Sequence, residues 1–210
     1  MDFIKKPEEI ENRSMQIIEP YLKDLNLTVE EVKVYSRMIH AAGDVDYAPI
    51  IKISKNAIEA AKSAIKSGSN IYTDVEMVRT GINKRTLSKF GGNVFCKIAD
   101  EDIKKIAENQ GITRSMAAMR TFGKDLNNSI IAIGNAPTAL FEVLRLVIED
   151  SIKPAVIIGI PVGFVGAADS KKALAEQSQI PFITVEGTKG GSPIAVAAIN
   201  AIIYLLDNSR

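Results

Sequence analysis

The chain of 210 residues holds one histidine, His40, in the string Arg37-Met38-Ile39-His40-Ala41-Ala42-Gly43-Asp44. Histidine is the side chain whose ordinary titration falls near neutral pH, so any imidazole acid–base chemistry rests on this residue alone. The stretch Thr28 to Ile39 has helical character and Gly43 reads as a helix stop. That places the ring near a helix C-terminus, where the backbone dipole favours a cation. Arg37, three residues earlier, shares the same helical face and suits an anionic substrate. The competing reading is a histidine hydrogen-bonded within a helix cap, and position alone favours that reading.

Three glycine-bearing strings form a second group with chemical potential. They are Gly134-Asn135-Ala136-Pro137-Thr138, Pro161-Val162-Gly163-Phe164-Val165-Gly166-Ala167-Ala168-Asp169-Ser170-Lys171 and Gly187-Thr188-Lys189-Gly190-Gly191-Ser192-Pro193. Each follows an apolar run of β character. Glycine loops that open into helices aim free backbone N–H groups at anions. Asn135 suits a helix cap, and Pro137 and Pro193 suit first helical turns. None of the strings is Gly-x-Gly-x-x-Gly or a P-loop, and each alone reads more readily as an ordinary strand-to-helix turn. Together on one sheet edge they favour a large anionic ligand, and Phe164 and Val165 add apolar surface suited to a flat ring. A further polar group comprises Asp74, Arg79 and Thr80 in the run Thr73–Ile82, with Arg114 and Ser115 later on. For these residues a cap or surface role competes evenly with ligand binding.

Composition narrows the field. Net charge is +1 with both signs dispersed, so no basic stripe marks a nucleic-acid partner. One cysteine and one histidine exclude a disulfide framework and a His/Cys metal cluster within one chain. Cys96, in the run Asn93–Lys97, reads as a small buried strand residue. The N-terminal residues lack the apolar region of a signal peptide and no run reaches the length of a membrane span, so a cytoplasmic protein without membrane contact is expected.

The elements that must position these residues read as one domain over 1–210. The first 66 residues are mostly helical: a helix opening at Pro7, a second from Thr28 to Ile39 and a third from Asn56 to Ser67, with Ile50–Ile53 a short apolar piece between the last two. Beyond them, β-type runs at 70–73, 93–96, 129–133, 155–160 and 181–185 alternate with helical stretches near 75–80, 100–110, 113–123, 137–149, 170–178 and 193–206. Such alternation predicts a mainly parallel five-stranded sheet with helices on both faces, a flavodoxin-like doubly wound α/β fold preceded by N-terminal helices. The helix at 193–206 is apolar on most faces, which predicts contact with a partner subunit.

Five strings, Arg37–Asp44, Thr73–Ile82, Gly134–Leu140, Pro161–Lys171 and Lys189–Ala201, together resemble the precorrin-8X and cobalt-precorrin-8 methylmutases of cobalamin biosynthesis, in order and over essentially the whole chain. The resemblance implies an isomerase that moves a methyl group from C-11 to C-12 of a corrinoid, giving hydrogenobyrinate or cobyrinate. It implies a homodimer that needs no separate cofactor and no protein-bound metal; the substrate itself carries cobalt in one version of the pathway. The family's catalytic histidine falls on His40, its substrate-contacting serine on Ser14, and the arginine before the histidine on Arg37. The polar groups and loops add Asp74, Thr80, Arg114, Ser115, Asn135, Gly163, Gly166, Lys189, Gly190, Gly191 and Ser192 as substrate-binding candidates. A non-catalytic corrinoid- or flavin-binding module of the same fold is the alternative, and such a module has no need of His40.

Overall fold

The computed structural model describes residues 3–207. Helix α1 (Pro7–Ile18) opens with proline in its first turn and runs into a 3-10 turn at Glu19–Tyr21. Helix α2 (Val29–Ala42) starts from a capping box: Thr28 Oγ1 accepts from the Glu31 N–H while the Glu31 carboxylate accepts from the Thr28 N–H. It ends at Gly43, whose φ of 62° closes the last turn. His40 therefore lies within that turn, not beyond it. A 3-10 turn at Val45–Tyr47 leads to strand β1 (Ile51–Ile53) and helix α3 (Ala57–Lys66). Then follow β2 (Ile71–Thr73), α4 (Glu76–Gly81), α5 (Lys84–Leu87), β3 (Val94–Cys96), α6 (Glu101–Gln110), α7 (Arg114–Phe122) and β4 (Ile130–Ile133). The chain closes with α8 (Pro137–Glu149), β5 (Val156–Gly159), α9 (Ala167–Glu176), β6 (Phe182–Val185) and α10 (Ser192–Leu206).

The sheet order is β1-β6-β5-β4-β2-β3. Strands β2 to β6 are parallel, and counted among themselves they stand in the order 2-1-3-4-5, the flavodoxin-like winding. Six strands, not five, make the sheet. The sixth is β1, antiparallel to β6 in the register Ile51↔Val185 and Ile53↔Ile183. Three residues with Lys52 between two isoleucines are too few for alternation to separate strand from loop, and the exposed lysine suits a sheet edge. The strand has a large effect on geometry. Because β1 runs against β6, the chain just before it lies at the carboxyl edge of the parallel strands, and the Glu186 N–H donates to the Ile50 carbonyl there at 2.8 Å.

Central strands are apolar throughout because both faces are covered. On one face Ile71, Ile130, Val156, Ile158, Ile183 and Val185 meet α2, α3 and α10. On the other, Tyr72, Ile131, Ile157 and Phe182 meet α8, Met119 and Phe122 of α7, and Leu174 of α9. Helix α10 packs on β4 and β5 and is covered in turn by α2, α3 and α4. Most of its apolar circumference is thus covered inside one chain, while Val196, Tyr204, Leu205 and Leu206 stay half-buried. Helix α9 starts three residues earlier than its expected start at Ser170, capped by Gly166 at φ 75°.

Candidate active site

The edge of the sheet is built from four returns of the chain: the turns after β2, β4, β5 and β6. Between β2 and β4 the winding reverses, and the crevice there is the default ligand position in such sheets. Here a side chain of the protein fills it. Asp74 is 0 % exposed, and its carboxylate accepts from the N–H groups of Gly134, Asn135 and Ala136 at 3.0, 2.9 and 2.7 Å. Burial pushes its carboxyl up against the pull of those donors. The amides leading into α8 are therefore occupied, and the expectation that this loop turns its N–H groups to a ligand is corrected. The Asn135 side chain remains exposed at the edge.

Thr113 Oγ1 lies 2.9 Å from Thr138 Oγ1, which brings the start of α7, with exposed Arg114 and buried Ser115, beside the same loop. Thr80 is exposed near the end of α4, and Arg79 is tied to Glu76 at 2.7 Å.

The other two loops form one unit. Gly163 N–H donates to Thr188 O at 3.2 Å and Gly191 N–H to Ile160 O at 2.9 Å. A Cβ on Gly190, φ 151°, would lie 2.7 Å from both the Ile160 and Pro161 oxygens, so only glycine allows this crossing. Ser192 packs against Gly134, where a Cβ would meet its Cα at 2.8 Å, and this contact joins the two halves of the edge.

Above the β6 end sits the α2 segment. Ser14, Ile17, Ile18, Ile39, His40, Gly43, Asp44 and Val45 line an open pocket of about 250 Å³. His40 is exposed, and among the described residues no hydrogen bond or ion pair engages its imidazole, unlike the capped histidine of the competing reading. Ser14 Oγ donates to the Ile10 carbonyl at 2.9 Å and keeps its lone pairs for another donor. Lys189 reaches across from the β6 loop to Asp44 at 2.6 Å. Arg37 does not line this pocket. It borders a neighbouring groove of about 960 Å³, pairs with Glu11 at 3.1 Å and lies 4.8 Å from the Tyr204 ring.

Ser14, His40, Lys189, Gly190, Gly191 and Gly163 are thus gathered at one end of the edge, with Gly166 capping the adjoining helix. Asp74, Thr80, Arg114, Ser115 and Asn135 belong to the other end. Sequence reading did not single out Asp44, Tyr47 or Lys171. For Lys171 a signal existed: with Ala167 and Leu174 it falls on the inward stripe of α9. Among the described residues no cluster of three or more His, Cys, Asp or Glu could hold a metal, and no helix is long and apolar enough to cross a membrane.

A flavodoxin-wound α/β sheet with an unengaged imidazole and paired glycine loops at its carboxyl edge defines a class of small-molecule site, one suited to a large anionic ligand and acid–base work. The particular family follows from comparison. The family described as Precorrin-8X methylmutase matches residues 9–205, and the chain belongs to it. A cobalt-precorrin-8 methylmutase of Priestia megaterium is 41% identical over 203 residues, covering 97% of this chain and 90% of that one. A solved structure titled precorrin-8X methylmutase related protein superposes with a TM-score of 0.84 at 38% identity, covering 91% of this chain and 99% of that one. The precorrin-8X methylmutase of Thermus thermophilus gives 0.83 at 34% identity, covering 93% and 96%. The chain is an isomerase of cobalamin biosynthesis that migrates a methyl group.

Proposed function

We propose that this isomerase moves the methyl group of precorrin-8, in its cobalt or metal-free form, from C-11 to C-12, with His40 as the proton donor. The observation that carries the reading is the pocket shared by Ser14 and an unengaged His40 at the carboxyl edge. A methyl shift within one molecule is a rearrangement: the bond to C-11 breaks as the bond to C-12 forms, and no redox partner is needed. A proton delivered to the macrocycle as the methyl moves favours the product tautomer, which is general acid work for one imidazole. At about 250 Å³ the pocket is below the size of most whole-ligand clefts, so it takes one edge of the ring. The remainder of the ring and its carboxylates extend over the Gly163 and Lys189–Ser192 loops. Arg37 leaves its exposed, weak pair with Glu11 to meet one carboxylate.

We place two subunits together through the loop after β5, where Phe164 is 96% and Val165 is 89% exposed. Large apolar side chains bared side by side mark a surface that is covered in use. Burial pushes the free Cys96 thiol up to about 11, and an unpaired cysteine suits the reducing cytoplasm proposed here. The test of the reaction is His40→Asn. Turnover falls by about a hundredfold or more, the low end for a lost general acid, while product binding stays within a few-fold of wild type. Turnover close to wild type removes His40 from the chemistry.

A further inference from the structure

Lys171 in α9 is 1% exposed and is the largest of the fully buried side chains. Lysine is almost never buried without a partner charge. Among the described residues no carboxylate pairs with it; its Nζ donates to the carbonyl oxygen of Lys189. Burial alone pushes its ammonium down, to about 8. A buried charge with no counter-charge is a poor source of stability, so its presence calls for another account.

That account lies in the peptide it holds. The Lys189–Gly190 bond is trans, so the Lys189 carbonyl and the Gly190 N–H point in opposite directions. With the carbonyl drawn inward to Lys171, the N–H faces the α2 side, where it pulls on the acidity of the Tyr47 hydroxyl. From the same loop residue, Lys189 Nζ reaches Asp44 at 2.6 Å and lies 5.3 Å from the centre of the Tyr47 ring. Asp44 and Val45 are walls of the His40 pocket, and Tyr47 closes the 3-10 turn that follows them.

We propose that Lys171 is a positioning residue for the isomerisation: it fixes the plane of the Lys189–Gly190 peptide, which through Tyr47 and Asp44 sets the turn that walls the His40 pocket. The inference rests on the assignment of that pocket as the substrate site. It extends the machinery to a side chain that touches neither substrate nor His40.

The test is a double-mutant cycle on the full-length protein, read by titration with cobyrinate and with hydrogenobyrinate. Lys171→Met weakens binding of the preferred product about tenfold, and the nitrogen-15 and proton resonances of the only imidazole in the chain shift. Its melting temperature stays within about 3 °C of wild type, equivalent to roughly 1 kcal/mol for a chain of this size. Tyr47→Phe, which removes one oxygen at the far end of the relay, weakens binding several-fold. The double variant binds no worse than about twofold below Lys171→Met, because both changes break the same connection. Wild-type binding by Tyr47→Phe overturns the proposal even if Lys171→Met does not fold, as do unchanged His40 resonances in Lys171→Met or fully additive effects. Product binding and coupling do not depend on which residue supplies the proton. An active His40→Asn enzyme would therefore refute the acid and leave the relay to stand or fall separately.

Discussion

Asp74 occupies the place at which other sheets of this winding hold a ligand, and three backbone donors bond to its buried carboxylate. Asp74→Ala should lower stability by about 2–4 kcal/mol in urea unfolding, since buried donors are left unmade. Asp74→Asn keeps one acceptor oxygen and the shape, so it should cost less; an alanine variant as stable as wild type would show that the loop finds other partners. Arg37 presents the opposite case, a charge in a pair that costs little to break. Arg37→Met should weaken product binding about tenfold or more, the worth of a charge-assisted bond of roughly 1.5–3 kcal/mol. Lys153→Met changes a residue whose N–H bonds Asn127 at the amino edge of the sheet, and its binding should not change. Equal binding constants for the two variants would move the site away from the carboxyl edge.

Among the elements, α7 and α8 are joined by one buried acid. Arg120 grips Glu142 through Nε and Nη2, both at 3.0 Å, and Arg145 adds a contact at 2.7 Å. Burial raises the Glu142 carboxyl, but the two guanidinium groups outweigh it and leave it below its ordinary value. A carboxyl lowered in the folded state binds fewer protons there than in the unfolded chain, so its contribution is complete above the ordinary range near 4.5 and is lost as pH falls below it. Glu142→Gln should therefore be less stable at pH 7, with a flatter loss between about pH 5 and 3 than wild type, as read from denaturant midpoints. The five parallel strands and nearly every helix were legible from alternation and capping, because long apolar runs and Pro or Gly at helix ends are local signals. What was not legible depends on distant partners. Strand β1 exists because β6 is beside it, and three residues carry no period of their own. The coverage of α10 by α2 could not be told from coverage by a second subunit, since both bury the same side chains. Residue type alone marks His40 and the glycine loops, whereas nothing local to Asp74 separates a ligand contact from an acceptor for amides 60 residues away in the chain.

For the whole molecule, light scattering at micromolar protein should give twice the 22.8 kDa of a single chain. Replacing Phe164 and Val165 by serine should shift the mass to that of the monomer without lowering the melting temperature, as both side chains are nearly bare in the single chain. A wild-type mass of one chain, or an unchanged mass in the double variant, would reject that loop as the contact. The antiparallel β1–β6 pair has a consequence for the life of the protein before it is complete. Ser54 and Phe182, bonded at the end of that pair, are 128 residues apart in the chain. A ribosome adding about 5–20 residues per second delivers the second partner on the order of ten seconds after the first. Through that interval the segment bearing His40 has no sheet edge to settle on. The helix that bears His40 also packs on α10, which follows β6, so a fragment ending before β6 should retain helices yet bind no corrinoid.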